Sequence, residues 1–300
     1  MILLCLAWSL QQISLKAATP EVSPLLMVAL RSGIAALLVA AVMVWRGAGL
    51  QLRAGRWRPG LVVGALFAFE FLFVAEAMRF TYAGHVVVFI YTAPIFAALG
   101  LHWKIPAERL NRMQWLGIAL AFAGIATAFL GRGEARSDLQ ASDVLIGDLM
   151  ALLAGALWGA TTVAIRITRL GSAAATETLL YQLVAAFLLL MPIALLTGQT
   201  RFDPTPVAWG HLAFQSVVVT FASYLVWFWL LRRYLASRLG VFSFLTPVLG
   251  VALGVVLLGE PLEAGFLVGS GLVLSGVVLV SGHAWLAQLL GRIGGRHRSS

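Results

Sequence analysis

Residues 5–16 read CLAWSLQQISLK, and residues 155–166 read GALWGATTVAIR. In both, a tryptophan stands eight positions before a cation. Cys5, Trp8, Ser9, Gln12 and Lys16 fall at spacings that share one face of a helix. Adding 150 to each number gives Gly155, Trp158, Gly159, Thr162 and Arg166. Further along, Arg79 and Pro94 map onto Arg232 and Pro247 at an offset of 153, while Gly117 and Gly124 map onto Gly269 and Gly276 at 152. Offsets this close, recurring in chain order, divide the sequence into two similar halves.

The material between these landmarks is apolar. Of 300 residues, 61% are hydrophobic and 11% charged, against about 25% charged in soluble domains. A water-soluble globule cannot bury that much. Ten apolar segments can be marked: 1–16, 24–45, 58–78, 83–103, 113–130, 145–165, 177–197, 209–231, 239–258 and 266–286. An α-helix needs about 20 residues to cross a bilayer core, and lipid offers the backbone no hydrogen-bond partners, so each span is expected to be helical. The expected fold is all-α and integral to the membrane, with ten transmembrane helices. Its units are a first repeat (1–131), an extracytoplasmic loop (132–144), a second repeat (145–286) and a basic tail (287–300). The first segment is short for a span, and further residues before Met1 are expected. A cleaved signal peptide fits poorly, because no basic region precedes the apolar run.

Cations fix the orientation. Arg46, Arg53, Arg56, Arg58, Lys104, Arg109, Arg112, Arg166, Arg169, Arg232, Arg233, Arg238, Arg292, Arg296 and Arg298 fall on one side, and only Lys16, Arg79, Arg132, Arg136 and Arg201 on the other. Both termini are therefore expected in the cytoplasm. The net charge of +9 is spread in short runs between spans, which argues for lipid as the surrounding partner and against nucleic acid. Five spans per half is an odd number, so the second half enters upside down. Inverted repeats are the recurring construction of secondary transporters. A single cysteine, Cys5, rules out an intramolecular disulfide or a Cys-rich metal site. No phosphate-binding glycine loop, HExxH or nucleophile–base set occurs, so no enzyme activity, cofactor, metal or catalytic residue is expected.

The Trp-to-cation pattern of Trp8–Lys16 and Trp158–Arg166, the prolines Pro94 and Pro247, and Leu258, Gly259, Glu260 before Gly269 resemble the EamA repeat of the drug/metabolite transporter superfamily. The resemblance covers essentially the whole chain and extends to bacterial exporters of aromatic amino acids. It implies a basket-like inner-membrane exporter with a central cavity lined by spans 1, 3, 4, 6, 8 and 9. Lys104, Ile105 and Pro106 stand where the first half should carry the family's Gly-Glu pair.

Ionisable groups inside a span are costly unless they face a cavity or a partner. Glu70 is read either as a binder of a substrate ammonium or proton, or as a structural carboxylate paired with a cation such as Arg31. The 153 offset equates Glu70 with Ser223, which shares a helical face with Thr220, Tyr224 and Trp227. His85 is read as a carboxylate contact or as an interfacial histidine touching water. Gln12 and Thr162 offer neutral hydrogen bonds to cargo or between helices. Trp8 and Trp158 are expected to line the route and to favour aromatic cargo, with Tyr91 beside it or packed between helices. Pro94 and Pro247 remove a backbone hydrogen bond in corresponding spans and are the hinge candidates; Pro192 has no counterpart and reads as a kink. Gly117, Gly124, Gly269 and Gly276 mark spans 5 and 10 as scaffold or as the surface of a homo-dimer. The expected activity is export of amino acids, aromatic ones first, by alternating access. The alternatives are a sugar, nucleobase or cationic drug as cargo, a membrane-embedded lipid enzyme, or a non-transporting structural subunit.

Overall fold

The computed structural model describes residues 1–47, 55–130, 140–233 and 242–296. Arg53, Arg132, Arg136, Arg238 and Arg298 lie outside these, as do the side chains of Arg232, Trp285, Arg292 and Arg296. The described chain is helical throughout: α1 (Ile2–Ala17), α2 (Pro24–Trp45), α3 (Trp57–Phe80), α4 (Ala83–Ile90), α5 (Ala93–Lys104), α6 (Arg112–Leu130), α7 (Ala141–Ile167), α8 (Ala175–Leu196), α9 (Pro206–Ala213), a π-helical segment (Phe214–Ser223) leading into α10 (Tyr224–Arg233), α11 (Leu245–Leu258) and α12 (Ala264–Arg296). Among the described residues, seven stretches are long and apolar enough to cross a membrane. Helix α1 has only 16 residues and α11 only 14, or about 24 and 21 Å at 1.5 Å per residue, short of a core of about 30 Å.

The boundaries depart from expectation at two connections. Ala141–Val144, placed in the central loop, already belong to α7, while residues 131–139 lie outside the described set. Helix α12 runs on to Arg296 through most of the segment read as a tail; Leu, Ala and Gln between 284 and 290 are good helix formers.

Small residues determine the tight crossings. Helices α6 and α12 run so close that a methyl on Gly124 would lie 2.6 Å from the Gly269 carbonyl oxygen, and one on Gly117 2.8 Å from that of Gly276. The glycine stripes of spans 5 and 10 therefore face each other within one chain. Helix α7 lies across the α4–α5 break, where Gly155 and Gly159 approach the carbonyls of Phe89 and Ala93. Helix α1 crosses the start of α11 in a similar way: the Cys5 thiol reaches the Phe242 carbonyl at 3.3 Å, and the Ser9 hydroxyl donates to that of Thr246 at 2.8 Å. Further pairings join α2 to α8, α3 to α7 and α8, α4 to α7 and α11, and α5 to α7.

Both expected hinge prolines lie at the start of a fresh helix. The span holding Pro94 breaks at Tyr91–Thr92, and Pro94 is the second residue of α5. Pro247 is the third residue of α11, just after the turn at Phe244. A proline in the first turn forfeits no intrahelical bond. Pro192, in contrast, sits inside an unbroken α8.

At one end of the bundle two loops are stitched together. The Ser23 amide donates to the Arg201 carbonyl at 3.0 Å and the Asp203 amide to that of Glu21 at 2.9 Å, around an antiparallel bridge between Val22 and Phe202. Thr205 adds a hydroxyl donor to the Glu21 carboxylate and caps α9 by accepting from the Ala208 amide.

Candidate functional site

Seven of the sequence-derived residues meet one another through hydrogen bonds, ring contacts or electrostatic proximity, and an eighth, Gln12, lies beside Trp8 on α1. Trp8 donates its indole N–H to the Ser223 hydroxyl at 2.9 Å and meets the Trp227 ring edge-on at 5.4 Å. Ser223 donates in turn to the Val219 carbonyl. Gln12, one helical turn along α1 from Trp8, is buried with Oε1 unpaired. Tyr91, at the α4–α5 break, meets Trp158 of α7 edge-on at 5.5 Å and lies within electrostatic range of Tyr224. Glu70 is buried, its Oε2 has no hydrogen-bond partner, and it lies within electrostatic range of Arg31 and Tyr224. Buried polar atoms are nearly always paired, so the unpaired oxygens of Gln12 and Glu70 on two neighbouring helices leave hydrogen-bonding capacity that a polar group could fill.

Arg31 closes one side of this cluster. It donates to Gln215 Oε1 at 2.6 Å and lies over the Phe71 ring at 4.4 Å, while Gln215 donates to the Gln11 carbonyl at 2.7 Å. Gln215 and Thr220 belong to the π-helical segment, where the Thr220 hydroxyl donates five residues back to the Gln215 carbonyl. Single-turn π insertions re-aim side chains and concentrate at functional sites; here the segment brings Gln215 to Arg31 and Ser223 to Trp8.

A cavity of about 490 Å³ lies where α5, the 3-10 turn Pro106–Glu108, α6, α7 and α12 meet. Its walls include Pro94, Ala97, Glu108, Arg109, Trp158 and Thr162. Trp158 thus belongs both to the cavity and to the Tyr91 contact. The Thr162 hydroxyl donates to its own helix at the Trp158 carbonyl, which leaves its lone pairs as acceptors. At the rim, Arg166 Nε is 3.0 Å from Glu108, both partly exposed.

His85 belongs elsewhere. Its Nδ1 lies 3.0 and 3.1 Å from the two Asp148 oxygens, and its ring stacks on Phe266 at 3.7 Å. Asp148 is fully buried and also accepts from the Thr81 hydroxyl at 2.5 Å. With 2% of its surface exposed, His85 is not an interfacial residue in water; it anchors the turn between α3 and α4.

The profile of the EamA-like transporter family matches residues 1–130 and 145–282. The chain belongs to the EamA-like transporter family. It is 27% identical over 289 residues to a probable amino-acid metabolite efflux pump of Salmonella typhimurium, covering 93% of this chain and 92% of that protein. It is 23% identical over 281 residues to the uncharacterized transporter YoaV of Bacillus subtilis, covering 91% and 92%. An uncharacterized transporter of Archaeoglobus fulgidus is 26% identical over 289 residues, covering 92% and 94%. A solved crystal structure that covers 93% of this chain and 95% of its own matches with a TM-score of 0.64 at 23% identity, which establishes a shared fold. This EamA-like chain is thus a multi-pass membrane protein of a transporter family.

Several members of the polar framework of this EamA-like transporter escaped sequence reasoning. Asp148 and Glu177 each carry a charge into an apolar segment, as Glu70 does, and the rule that singled out Glu70 applies to them equally. Glu177 pairs with Arg56 at 3.2 Å. Glu108 stands 152 residues before Glu260, so the first half does carry an acid at the corresponding turn, displaced by a few residues from Lys104–Pro106.

Proposed function

We propose that this protein is a secondary transporter that exports amino acids and related metabolites, aromatic ones first, by alternating access. It uses ten spans arranged as two inverted halves with both termini in the cytoplasm. The observation that carries the reading is the central cluster, in which the aromatic surfaces of Trp8, Trp227, Tyr91 and Trp158 share one region with the unpaired oxygens of Gln12 and Glu70. Aromatic rings bind rings and ammonium groups; a carboxylate binds an ammonium, and neutral amides or hydroxyls hold a carboxylate without trapping it.

The packing supports the inverted repeat. Advancing each span by five exchanges the α3–α7 pairing for that of the π segment with α1, exchanges the α4–α7 and α5–α7 pairings for α11–α1, and maps α2–α8 and α6–α12 onto themselves. The local crossings correspond as well, since Gly155 and Gly159 meet the carbonyls of Phe89 and Ala93 as Cys5 and Ser9 meet those of Phe242 and Thr246. The efflux-pump relative supports amino acids as the cargo class.

In this reading Glu70 meets the substrate ammonium, Gln12 the carboxylate, and Trp8, Trp158, Tyr224 and Trp227 the side chain. Ser223 orients Trp8, Thr162 lines the entry, and His85 steadies the outer end. The breaks at Tyr91–Thr92 and Phe244, just before Pro94 and Pro247, allow the half-helices to tilt. Counterflow of labelled tryptophan and phenylalanine into proteoliposomes is the test. Saturable flux that falls with Glu70→Gln and Trp158→Ala is expected, and flux no greater than in protein-free vesicles rejects the proposal. Competition by sugars, nucleobases or cationic dyes in the same assay reassigns the cargo.

A further inference from the structure

The turn between α3 and α4 is held from both sides. Lys16, at the end of α1, donates to the Met78 carbonyl at 2.6 Å and to the Thr81 carbonyl at 2.8 Å. Glu260, in the turn between α11 and α12, accepts from the amides of Ala83 at 2.6 Å and Gly84 at 2.9 Å. Helix ends carry unpaired carbonyls and amides together with the poles of the helix dipole. A cation on the last carbonyls of α3 and a carboxylate on the first amides of α4 therefore match the turn in both hydrogen bonding and charge. Glycine makes room for the carboxylate: a methyl on Gly84 would come to 3.3 Å of Glu260 Oε2, and one on Gly254 would collide with it.

The other end of the molecule holds the equivalent residues in a different arrangement. Offsets of 150 and 152 carry Lys16 to Arg166 and Glu260 to Glu108. Those two are bonded to each other at 3.0 Å, at the rim of the cavity, with side chains 66% and 31% exposed. One pair of positions thus occurs twice in a single chain, once gripping a buried helix turn and once joined at the rim of a cavity.

We propose that Lys16 and Glu260 form a releasable latch on the α3–α4 turn: while they grip it the external end of the route is closed, and when they let go they pair with each other, as Arg166 and Glu108 do. The latch rests on the transport reading above and names the residues that govern its outer gate. The role of Glu260 is distinct from that of Glu70, since it bonds protein amides and leaves cargo untouched.

The test reads accessibility without requiring transport. In a Cys5→Ser background, Val86→Cys places a reporter thiol in the first turns of α4, at a position with 0% exposure. Its labelling by a membrane-impermeant maleimide is measured on intact cells and on inside-out vesicles. Glu260→Gln keeps one acceptor oxygen but loses the charge and the second acceptor, a net loss of about one hydrogen bond, so labelling rises roughly tenfold; Lys16→Met, acting from the other side of the turn, gives a rise in the same direction. Glu108→Gln leaves external labelling at or below its starting level. Unchanged labelling in both latch variants, or an equal rise with Glu108→Gln, overturns the latch. If the rise appears only in inside-out vesicles, the orientation fails while the latch stands, and if the variants label as expected without any amino acid flux, it is the transport reading that fails.

Discussion

Replacing Gly124 with alanine tests the close crossing of α6 and α12. The added methyl would sit 2.6 Å from both the Gly269 carbonyl oxygen and the Val273 amide nitrogen, and 2.8 Å from Leu272 Cβ. Ordinary contact begins at 3.4 Å, so α6 and α12 must part by about 0.8 Å against backbone atoms that cannot rotate away. Overpacking of this kind costs about 1–3 kcal/mol, offset by up to about 1 kcal/mol of helix propensity gained on leaving glycine. At roughly 2–4 °C per kcal/mol, the expected fall in Tm is a few degrees. Gly271→Ala is the control: it lies on α12 with no neighbour within 4 Å of its new methyl, so it keeps the propensity gain alone and melts at or above the parent temperature. Thermal unfolding in detergent, followed by tryptophan fluorescence, reads both. If Gly124→Ala melts together with Gly271→Ala, the two helices are not seated as described.

Arg31→Met strips Gln215 Oε1 of its buried donor at 2.6 Å and should cost about 1.5–3 kcal/mol; the double variant with Gln215→Met should lose less than the sum of the two, measured as a double-mutant cycle in thermal unfolding. Asp148→Ala removes the acceptor shared by His85 and Thr81, with an expected loss of at least about 2 kcal/mol in the same assay, whereas exposed Asp203→Ala should change stability by no more than about 1 kcal/mol. Trp8→Phe retains the ring but drops the bond to Ser223, costing about 1 kcal/mol, and Trp8→Ala should cost at least twice that.

Hydropathy made the apolar spans visible because lipid penalises any span that cannot satisfy itself, and the periodic face of Trp8 and Gln12 was legible because a helix must present it somewhere. The fit of that face to Ser223 and Trp227 was partly accidental. Thr220, Ser223, Tyr224 and Trp227 share one face at 3.6 residues per turn, yet Phe214–Ser223 is wound as a π-helix, and no local signal in FQSVVVTFAS announces it. Tertiary demand sets that winding, through the bond from Arg31 to Gln215. The burial of His85 is hidden from the sequence for a related reason: its partner Asp148 lies 63 residues away, and neither residue reveals the other. The breaks at Tyr91 and Phe244 were foreshadowed by prolines but placed too late along the chain, since proline favours the beginning of a helix over its interior.

The stitched loops carry a mechanical implication. Ser23 and Glu21 lie in the loop after α1, while Arg201 and Asp203 lead into α9, so the splice couples the tip of the first hairpin to the entry of α9. In the transport reading proposed above, the loop after α1 and the entry of α9 therefore move as one unit, and release of the turn beside Lys16 is carried across to α9 through the splice.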